Sequence, residues 1–231
     1  MSRSTLLAAL GLAVPMGGVL GSNPSRLTLM GRASVKINSG AGAVLYVDPY
    51  AKGDYSEPAD LILVTHGHGD HNKTSLPARN PGCAVIAPKG AVPDKDAIHL
   101  SEYSSTTIAG VKITALPAYN ANHPRGSCVG YLLEFGGIRV YHAGDTSLIP
   151  EMSGLKKQNL DYALLPCDGK YNMGPEEATR AAAAVGARYV VPIHSSGDGM
   201  ETGPNASKLT CPGLQVLQAG HSLTLEASER D

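Results

Sequence analysis

Short hydrophobic runs, separated by turns rich in glycine and proline, make up most of the chain from residue 26 onward. Residues 27–30 and 33–37 alternate between apolar and polar positions, which is typical of strands with one buried face. The runs at 61–64 and 162–165 are continuously apolar, which indicates strands buried on both faces. Further strand patterns lie at 43–47, 84–87, 111–116, 129–135, 138–141 and 188–193.

One segment of the second half has the pattern of a helix. Pro175 opens it, Glu176 and Glu177 follow in the first turn, and an alanine run continues to Gly186. Proline suits the first helical position and acidic side chains favour the first turn. Many strands with few intervening helices predict an α/β fold of the α+β kind, with two packed sheets and helices outside them.

The length of the chain predicts a single domain, and its charge argues against a nucleic-acid-binding protein. The chain has 231 residues and a net charge of −1, so residues 24–231 are long enough for one domain with a substantial core. A chain without basic excess lacks the surface that neutralises phosphates. We therefore expect a small-molecule substrate rather than a nucleic acid partner.

Residues 1–23 differ in composition from the rest. Arg3 precedes the apolar run 6–14, and small residues follow as far as Ser22. This order resembles a secretory signal peptide, and an N-terminal extension that packs on the domain is the open alternative. A cleaved signal peptide would place the protein in the periplasm or outside the cell. Without such a signal, the protein would be cytoplasmic. Proline and glycine interrupt the segment too early for an integral membrane span.

The run at 61–64 leads directly into the segment Thr65-His66-Gly67-His68-Gly69-Asp70-His71. His66 and His68 point the same way, because side chains in extended backbone repeat every two residues. Asp70 and His71 turn away on the following loop. One segment thus offers two sets of ligands aimed at two adjacent points, which predicts a site for two metal ions.

Three other positions are candidates for the remaining ligands. His123 lies in a loop between two strand patterns, Asp145 follows the strand at 138–141, and His194 closes the strand at 188–193. Imidazole and carboxylate ligands suit Zn2+, with Mn2+ or Fe2+ as alternatives. A carboxylate such as Asp145 can bridge two ions, and a hydroxide held between two divalent ions is a nucleophile. This chemistry is hydrolysis without a serine or cysteine nucleophile.

This set of motifs resembles the metallo-β-lactamase superfamily of metal-dependent hydrolases. Residues 27–34, 47–49, 141–146 and 173–178 resemble more closely a branch related to the ascorbate-6-phosphate lactonases. The resemblance implies a four-layer αββα sandwich with the site at one edge between the sheets.

The resemblance also implies a role for each candidate ligand. Three residues would hold the first metal ion: His66, His68 and His123. Three would hold the second: Asp70, His71 and His194. Asp145 would bridge the two ions, and Asp70 would also act in catalysis by orienting the hydroxide and accepting its proton. Arg32 stands where relatives commonly have a histidine, and the segment Asn120-Ala121-Asn122-His123 stands where a loop with two histidines is often seen. We expect either change to alter supporting or substrate contacts rather than remove a ligand.

Four residues are candidates for supporting or substrate contacts. Asp48 is interpreted as a carboxylate that accepts a hydrogen bond from a metal-binding imidazole, with a simple strand terminator as the alternative. His142, beside Asp145, either takes part in acid–base chemistry or hydrogen-bonds the scaffold. Asp168 and Tyr171 lie in a loop that either meets the substrate or is a solvated turn. His221 is expected to lie in a turn.

The sequence leaves the substrate open. A lactone, another ester, an amide or a phosphodiester would all be attacked by the same hydroxide. A β-lactamase requires export, and a phosphodiesterase or nuclease of the same fold is a further alternative. A non-catalytic metal-binding protein is the alternative from another functional class.

Overall fold

The computed structural model describes residues 23–93, 95 and 97–229. The segment interpreted as a signal peptide therefore lies outside the described residues. Two mixed β-sheets pack face to face, which confirms the predicted α+β fold with two packed sheets.

The first sheet has seven strands in the order β13-β1-β2-β3-β4-β5-β6. They are β1 (Arg26–Gly31), β2 (Ser34–Asn38), β3 (Val44–Val47), β4 (Ala59–Leu63), β5 (Arg79–Ala87), β6 (Ile98–His99) and β13 (Ser222–Thr224). Strands β3 to β6 run parallel to one another, and the remaining pairs are antiparallel. The parallel strands β3 and β4 therefore end at the same edge of the sheet.

The second sheet has six strands in the order β12-β11-β10-β9-β8-β7. They are β7 (Ser105–Ile108), β8 (Val111–Asn120), β9 (His123–Phe135), β10 (Ile138–His142), β11 (Tyr162–Pro166) and β12 (Tyr189–Ile193). Strands β10, β11 and β12 are parallel. Their carboxyl ends therefore also share one edge.

The main hydrophobic core lies between the two sheets. In the first sheet, alternate residues are fully buried in this layer: Leu45, Val47, Leu61 and Leu63. The second sheet contributes Tyr131, Leu133, Leu164 and Val191. Because strand side chains alternate between faces, these positions form one continuous apolar layer that holds the sheets in a fixed relation.

The outer faces of the two sheets are covered differently. Helix α1 (Pro175–Val185) and a 3-10 helix (Pro150–Gln158) pack on the second sheet, and a second 3-10 helix (Pro204–Lys208) adjoins α1. Helix α1 begins and ends where the sequence predicts, with Gly186 in the left-handed conformation as its C-cap. Over the first sheet, loop residues such as Tyr55 and Val92 cover the apolar face, and no helix lies there among the described residues.

The structure corrects one local expectation. His123 is the first residue of β9, directly after the turn that joins β8 to β9, instead of lying in an open loop. Its backbone pairs with Asn120 across the hairpin, so its position is fixed by strand pairing. In the part of the chain described, no helix combines the length and apolarity needed to cross a membrane.

Candidate metal centre

The candidate site lies where the carboxyl end of β4 meets the second sheet. His66 pairs with Cys128 of β9, and the Val129 amide donates a hydrogen bond to the Thr65 carbonyl (2.9 Å). This pairing joins the two sheets at one edge. It also brings the histidine segment of the first sheet beside residues at the ends of β9, β10 and β12.

Three imidazoles converge in a first group. Nδ1 of His68 lies 3.1 Å from Nε2 of His66 and 3.1 Å from Nε2 of His123. Ligand nitrogens about 2.0–2.1 Å from a tetrahedral zinc ion are separated by roughly 3.3 Å. The spacing of these three nitrogens therefore fits one metal ion.

A second group lies beside the first and contains Asp70, His71 and His194. Oδ2 of Asp70 is 3.6 Å from Nε2 of His71 and 4.0 Å from Nε2 of His194. His71 and His194 are fully buried, whereas Asp70 is partly exposed towards the cavity. This group has the mixed imidazole and carboxylate character that suits a divalent transition metal.

Asp145 lies between the two groups. Its Oδ2 atom is 3.5 Å from Nε2 of His123, 3.6 Å from Nε2 of His71 and 3.5 Å from Nε2 of His194. One carboxylate oxygen is thus at similar distances from imidazoles of both groups. Gly144 precedes it with φ +64°, and a Cβ atom there would lie 2.8 Å from the Val129 carbonyl oxygen, so this tight turn depends on glycine.

Two of the imidazoles are oriented by uncharged side chains. Nδ1 of His66 lies 2.9 Å from Oγ1 of Thr65, and Nδ1 of His123 lies 2.9 Å from Oδ1 of Asn120. The Asn120 amide oxygen is an acceptor, so Nδ1 of His123 carries the proton and Nε2 keeps its lone pair. The sequence does not reveal that Thr65 and Asn120 orient these imidazoles, although both lie close to the histidines in the chain.

Two carboxylates orient the other imidazoles. Oδ2 of Asp48 accepts a hydrogen bond from Nδ1 of His71 (2.8 Å), and Asp48 also accepts from the amide and hydroxyl of Thr65. Oδ2 of Asp168 lies 3.0 Å from Nδ1 of His194, a close contact that is not aligned as a hydrogen bond. Carboxylates at these positions hold imidazole rings in the orientation that directs Nε2 at a metal ion.

The charges of the cluster suit a cation. Burial opposes the charge of Asp145, but His71 and His194 outweigh it and lower the pKa of Asp145 well below its usual range. Burial also disfavours the charge of His71, yet Asp145 and Asp48 raise the pKa of His71 to about 9. Burial and His71 lower the pKa of His66 to about 3. The cluster thus offers an anionic carboxylate and a neutral imidazole, with a proton on His71 that a metal ion would displace.

Several buried polar atoms in this cluster lack hydrogen-bond partners. Among the described residues they include Nε2 of His71, Nε2 of His194 and Oδ1 of Asp145. Buried polar atoms without partners are costly, and atoms that converge on one place are typical of a metal site. The residues present therefore fit divalent metal ions.

The sequence indicates that Arg32 alters supporting or substrate contacts, but it does not reveal which residue Arg32 contacts. It lies at the tip of the β1–β2 hairpin, and its Nε donates to Oδ2 of Asp70 at 2.6 Å. Its Nη1 donates to the carbonyl oxygens of Gly197 (3.0 Å) and Gly199 (3.4 Å). Partial burial opposes the charge of Asp70, but His71 and Arg32 outweigh it and hold the pKa of Asp70 below its usual range.

The remaining candidate residues are His142, Tyr171 and His221, and they lie in three different environments. Both ring nitrogens of His142 contact backbone, the Ala33 carbonyl oxygen at 3.0 Å and the Gly144 amide at 3.2 Å, so the geometry favours the scaffold interpretation. Tyr171 lines the site cavity and donates to Asp198 (2.8 Å). His221 lies in an exposed segment away from the cluster.

Comparison with known proteins shows the family to which the chain belongs. A family model described as a beta-lactamase superfamily domain matches residues 26–194. The chain belongs to the beta-lactamase superfamily. Within this superfamily, a UPF0173 metal-dependent hydrolase of Thermococcus onnurineus is 33% identical over 190 residues, covering 73% of this chain and 84% of the relative. The chain therefore belongs to the family of these metal-dependent hydrolases.

Two other members of the superfamily extend the comparison. A UPF0173 metal-dependent hydrolase of Rubrobacter xylanophilus is 32% identical over 199 residues, covering 74% of this chain and 81% of the relative. The structure of a candidate metal-dependent hydrolase from Parabacteroides distasonis is 32% identical and superimposes with a TM-score of 0.72. That alignment covers 85% of this chain and 94% of the other. Most of the described domain thus shares the architecture of this superfamily.

Proposed function

We propose that the protein is a binuclear metal-dependent hydrolase. The observation that carries the proposal is the position of Asp145, whose Oδ2 lies 3.5–3.6 Å from imidazoles of both ligand groups. When bound, two divalent ions, Zn2+ in this proposal, would lower the pKa of a shared water and polarise the bond to be cleaved. Mn2+ and Fe2+ are the alternatives for the same ligands.

Residues of the chain itself bind the metal ions, transfer the proton and position the ligands. His66, His68 and His123 form one half of the cradle, and His71 and His194 form the other with Asp70. Asp70 reaches the cavity with its carboxylate, where it would orient the attacking water and accept its proton. Asp48 and Asp168 would hold His71 and His194 in place.

The substrate proposed is a small molecule with a lactone, ester, amide or phosphodiester bond. The site opens into a cavity of about 420 Å3 lined by Arg32, Asn122 and Tyr171 besides the ligands. This volume suits a small molecule. The net charge of −1 does not favour a nucleic acid substrate.

Metal analysis and a substrate panel test the proposal. The full chain loaded with zinc is expected to hold two ions and to hydrolyse at least one of a lactone series, bis-p-nitrophenyl phosphate or nitrocefin. The variant Asp70→Ala should lose this activity, whereas Asp54→Asn, an exposed carboxylate outside the cavity, should retain it. Two bound ions without hydrolysis of any member of a wider panel would favour the non-catalytic metal-binding protein. A stoichiometry of one ion would refute the binuclear site.

A further inference from the structure

Arg32 is a buried cation in the wall of the site cavity. Its side chain is only 8% exposed, and it lines the cavity together with the ligand residues His68 and Asp70. Its backbone is fixed as well, because its amide donates to the Met200 carbonyl (2.9 Å) and its carbonyl accepts from the His194 amide (2.7 Å). The guanidinium is therefore held in a defined position before any substrate arrives.

The contacts of Arg32 leave one part of the guanidinium uncommitted. Nε is used by Asp70, and Nη1 is used by the carbonyls of Gly197 and Gly199. Within the described part of the chain, Nη2 has no hydrogen-bond partner. Because a guanidinium carries five N–H donors, this end can still donate to a further acceptor in the cavity.

The charge balance of the cavity favours an anion as that acceptor. Among the described residues, Arg32 is the only lysine or arginine that lines it, and Asp70 and Asp145 are the carboxylates. Without metal ions, the two carboxylates outnumber the single guanidinium among the lining residues. With two divalent ions in the proposed site, Asp70 shares its charge with an ion, and the cavity becomes positive. An anionic group then meets both the ions and a fixed guanidinium.

We propose that Nη2 of Arg32 binds an anionic group of the substrate, a carboxylate or a phosphate, beside the bond that is cleaved. This inference rests on the proposed function and narrows its substrate class to anionic esters, lactones and phosphate esters. Arg32 is a specificity residue in this assignment. A residue that only held Asp70 and the 197–199 loop would affect anions solely through the metal site, and its own guanidinium signals would not respond to an anion.

Anion binding to the zinc-loaded full chain tests the assignment without an activity assay. Inorganic phosphate and glycolate are titrated separately by calorimetry, so that the two anion types are distinguished. The variant Arg32→Gln should bind the preferred anion about 10- to 100-fold more weakly, because one charge-assisted hydrogen bond is lost. Arg180→Gln, an exposed arginine of α1 outside the cavity, should bind as the original protein does. Equal affinities for the Arg32 variant and the original protein would overturn the proposal.

A second measurement keeps the test decisive if Arg32→Gln loses metal or folds poorly. In the unsubstituted protein, the nitrogen-15 signals of the Arg32 guanidinium should shift on addition of the bound anion. Anion binding that leaves these signals unchanged would overturn the proposal, as would the absence of binding by either anion. A protein that binds anions through Arg32 but never holds two metal ions would refute the proposed function and leave the Arg32 site standing.

Discussion

The substitution Asp48→Asn changes the hydrogen bond that orients His71 and leaves His71 itself in place. Asp48 is fully buried and accepts three hydrogen bonds, from the amide of Thr65 (2.7 Å), from its hydroxyl (2.7 Å) and from Nδ1 of His71 (2.8 Å). Asparagine has nearly the same shape but only one acceptor oxygen. If that oxygen faces the Thr65 amide, the new NH2 group faces Nδ1 of His71, which must give up its proton, so that the proton of the neutral ring lies on Nε2.

The expected changes in stability and in metal affinity follow from the loss of this hydrogen bond. A hydrogen bond to a charged group contributes about 1.5–3 kcal/mol, so the free energy of unfolding of the metal-free protein should fall by about that amount. Each kcal/mol lowers the Tm of a domain of this size by about 2–4 °C. Because Nε2 of His71 would then carry a proton, affinity for the second metal ion should fall by about 10- to 100-fold.

Two assays test the expected changes in stability and in zinc affinity. Calorimetric unfolding of chelator-treated protein measures the stability change, and zinc titration against a competing chelator dye measures the affinity of each site. Asp54→Asn is the matched control, since Asp54 is exposed and its side chain accepts from the Ser56 amide. The reasoning is refuted if Asp48→Asn binds the second zinc ion as tightly as the original protein.

Three further predictions concern the same centre. Asp145→Asn should reduce the zinc content by at least one ion per chain, measured by mass spectrometry of the metal, and an unchanged content would argue against a bridging role. Gly144→Ala should lower the free energy of unfolding by about 2–4 kcal/mol in urea, because its Cβ would lie 2.8 Å from the Val129 carbonyl oxygen. Gly42→Ala, where φ is +107° but no atom lies within 4 Å, should cost only about 1–2 kcal/mol. Chelation should lower the Tm, and zinc at 100 times its dissociation constant should restore about 2.7 kcal/mol of stability; a Tm indifferent to zinc would contradict the site.

The sequence predicts the strands and the clustering of the candidate ligands because both depend on local patterns. Side-chain alternation identifies the buried strands, and the segment from His66 to His71 holds four potential ligands within six positions. His123, Asp145 and His194 are found by a single rule, that polar residues at a strand exit or in the loop beside one meet at one edge of a packed sheet pair. The structure brings all seven together, and their roles as ligands stay a prediction.

The contacts that the sequence does not reveal depend on packing between distant segments. Arg32 meets Asp70 only because the β1–β2 hairpin tip reaches the loop after β4, and no spacing rule joins these positions. Asn120 supports His123 because the β8–β9 turn is tight, whereas the sequence indicates an open loop there. The outer face of the first sheet is covered by loops, which carry no periodicity that a pattern can detect.

The joining of the two sheets at the site also sets an order of assembly. His66 and His194 are 128 positions apart in the chain, and the group of Asp70, His71 and His194 forms only when the strand that precedes His194 has been added to the second sheet. During synthesis, His66, His68 and His123 all leave the ribosome before His194. If the protein binds two metal ions as proposed, the ligand group that contains His194 can be complete only after nearly all strands of the sandwich have been synthesised.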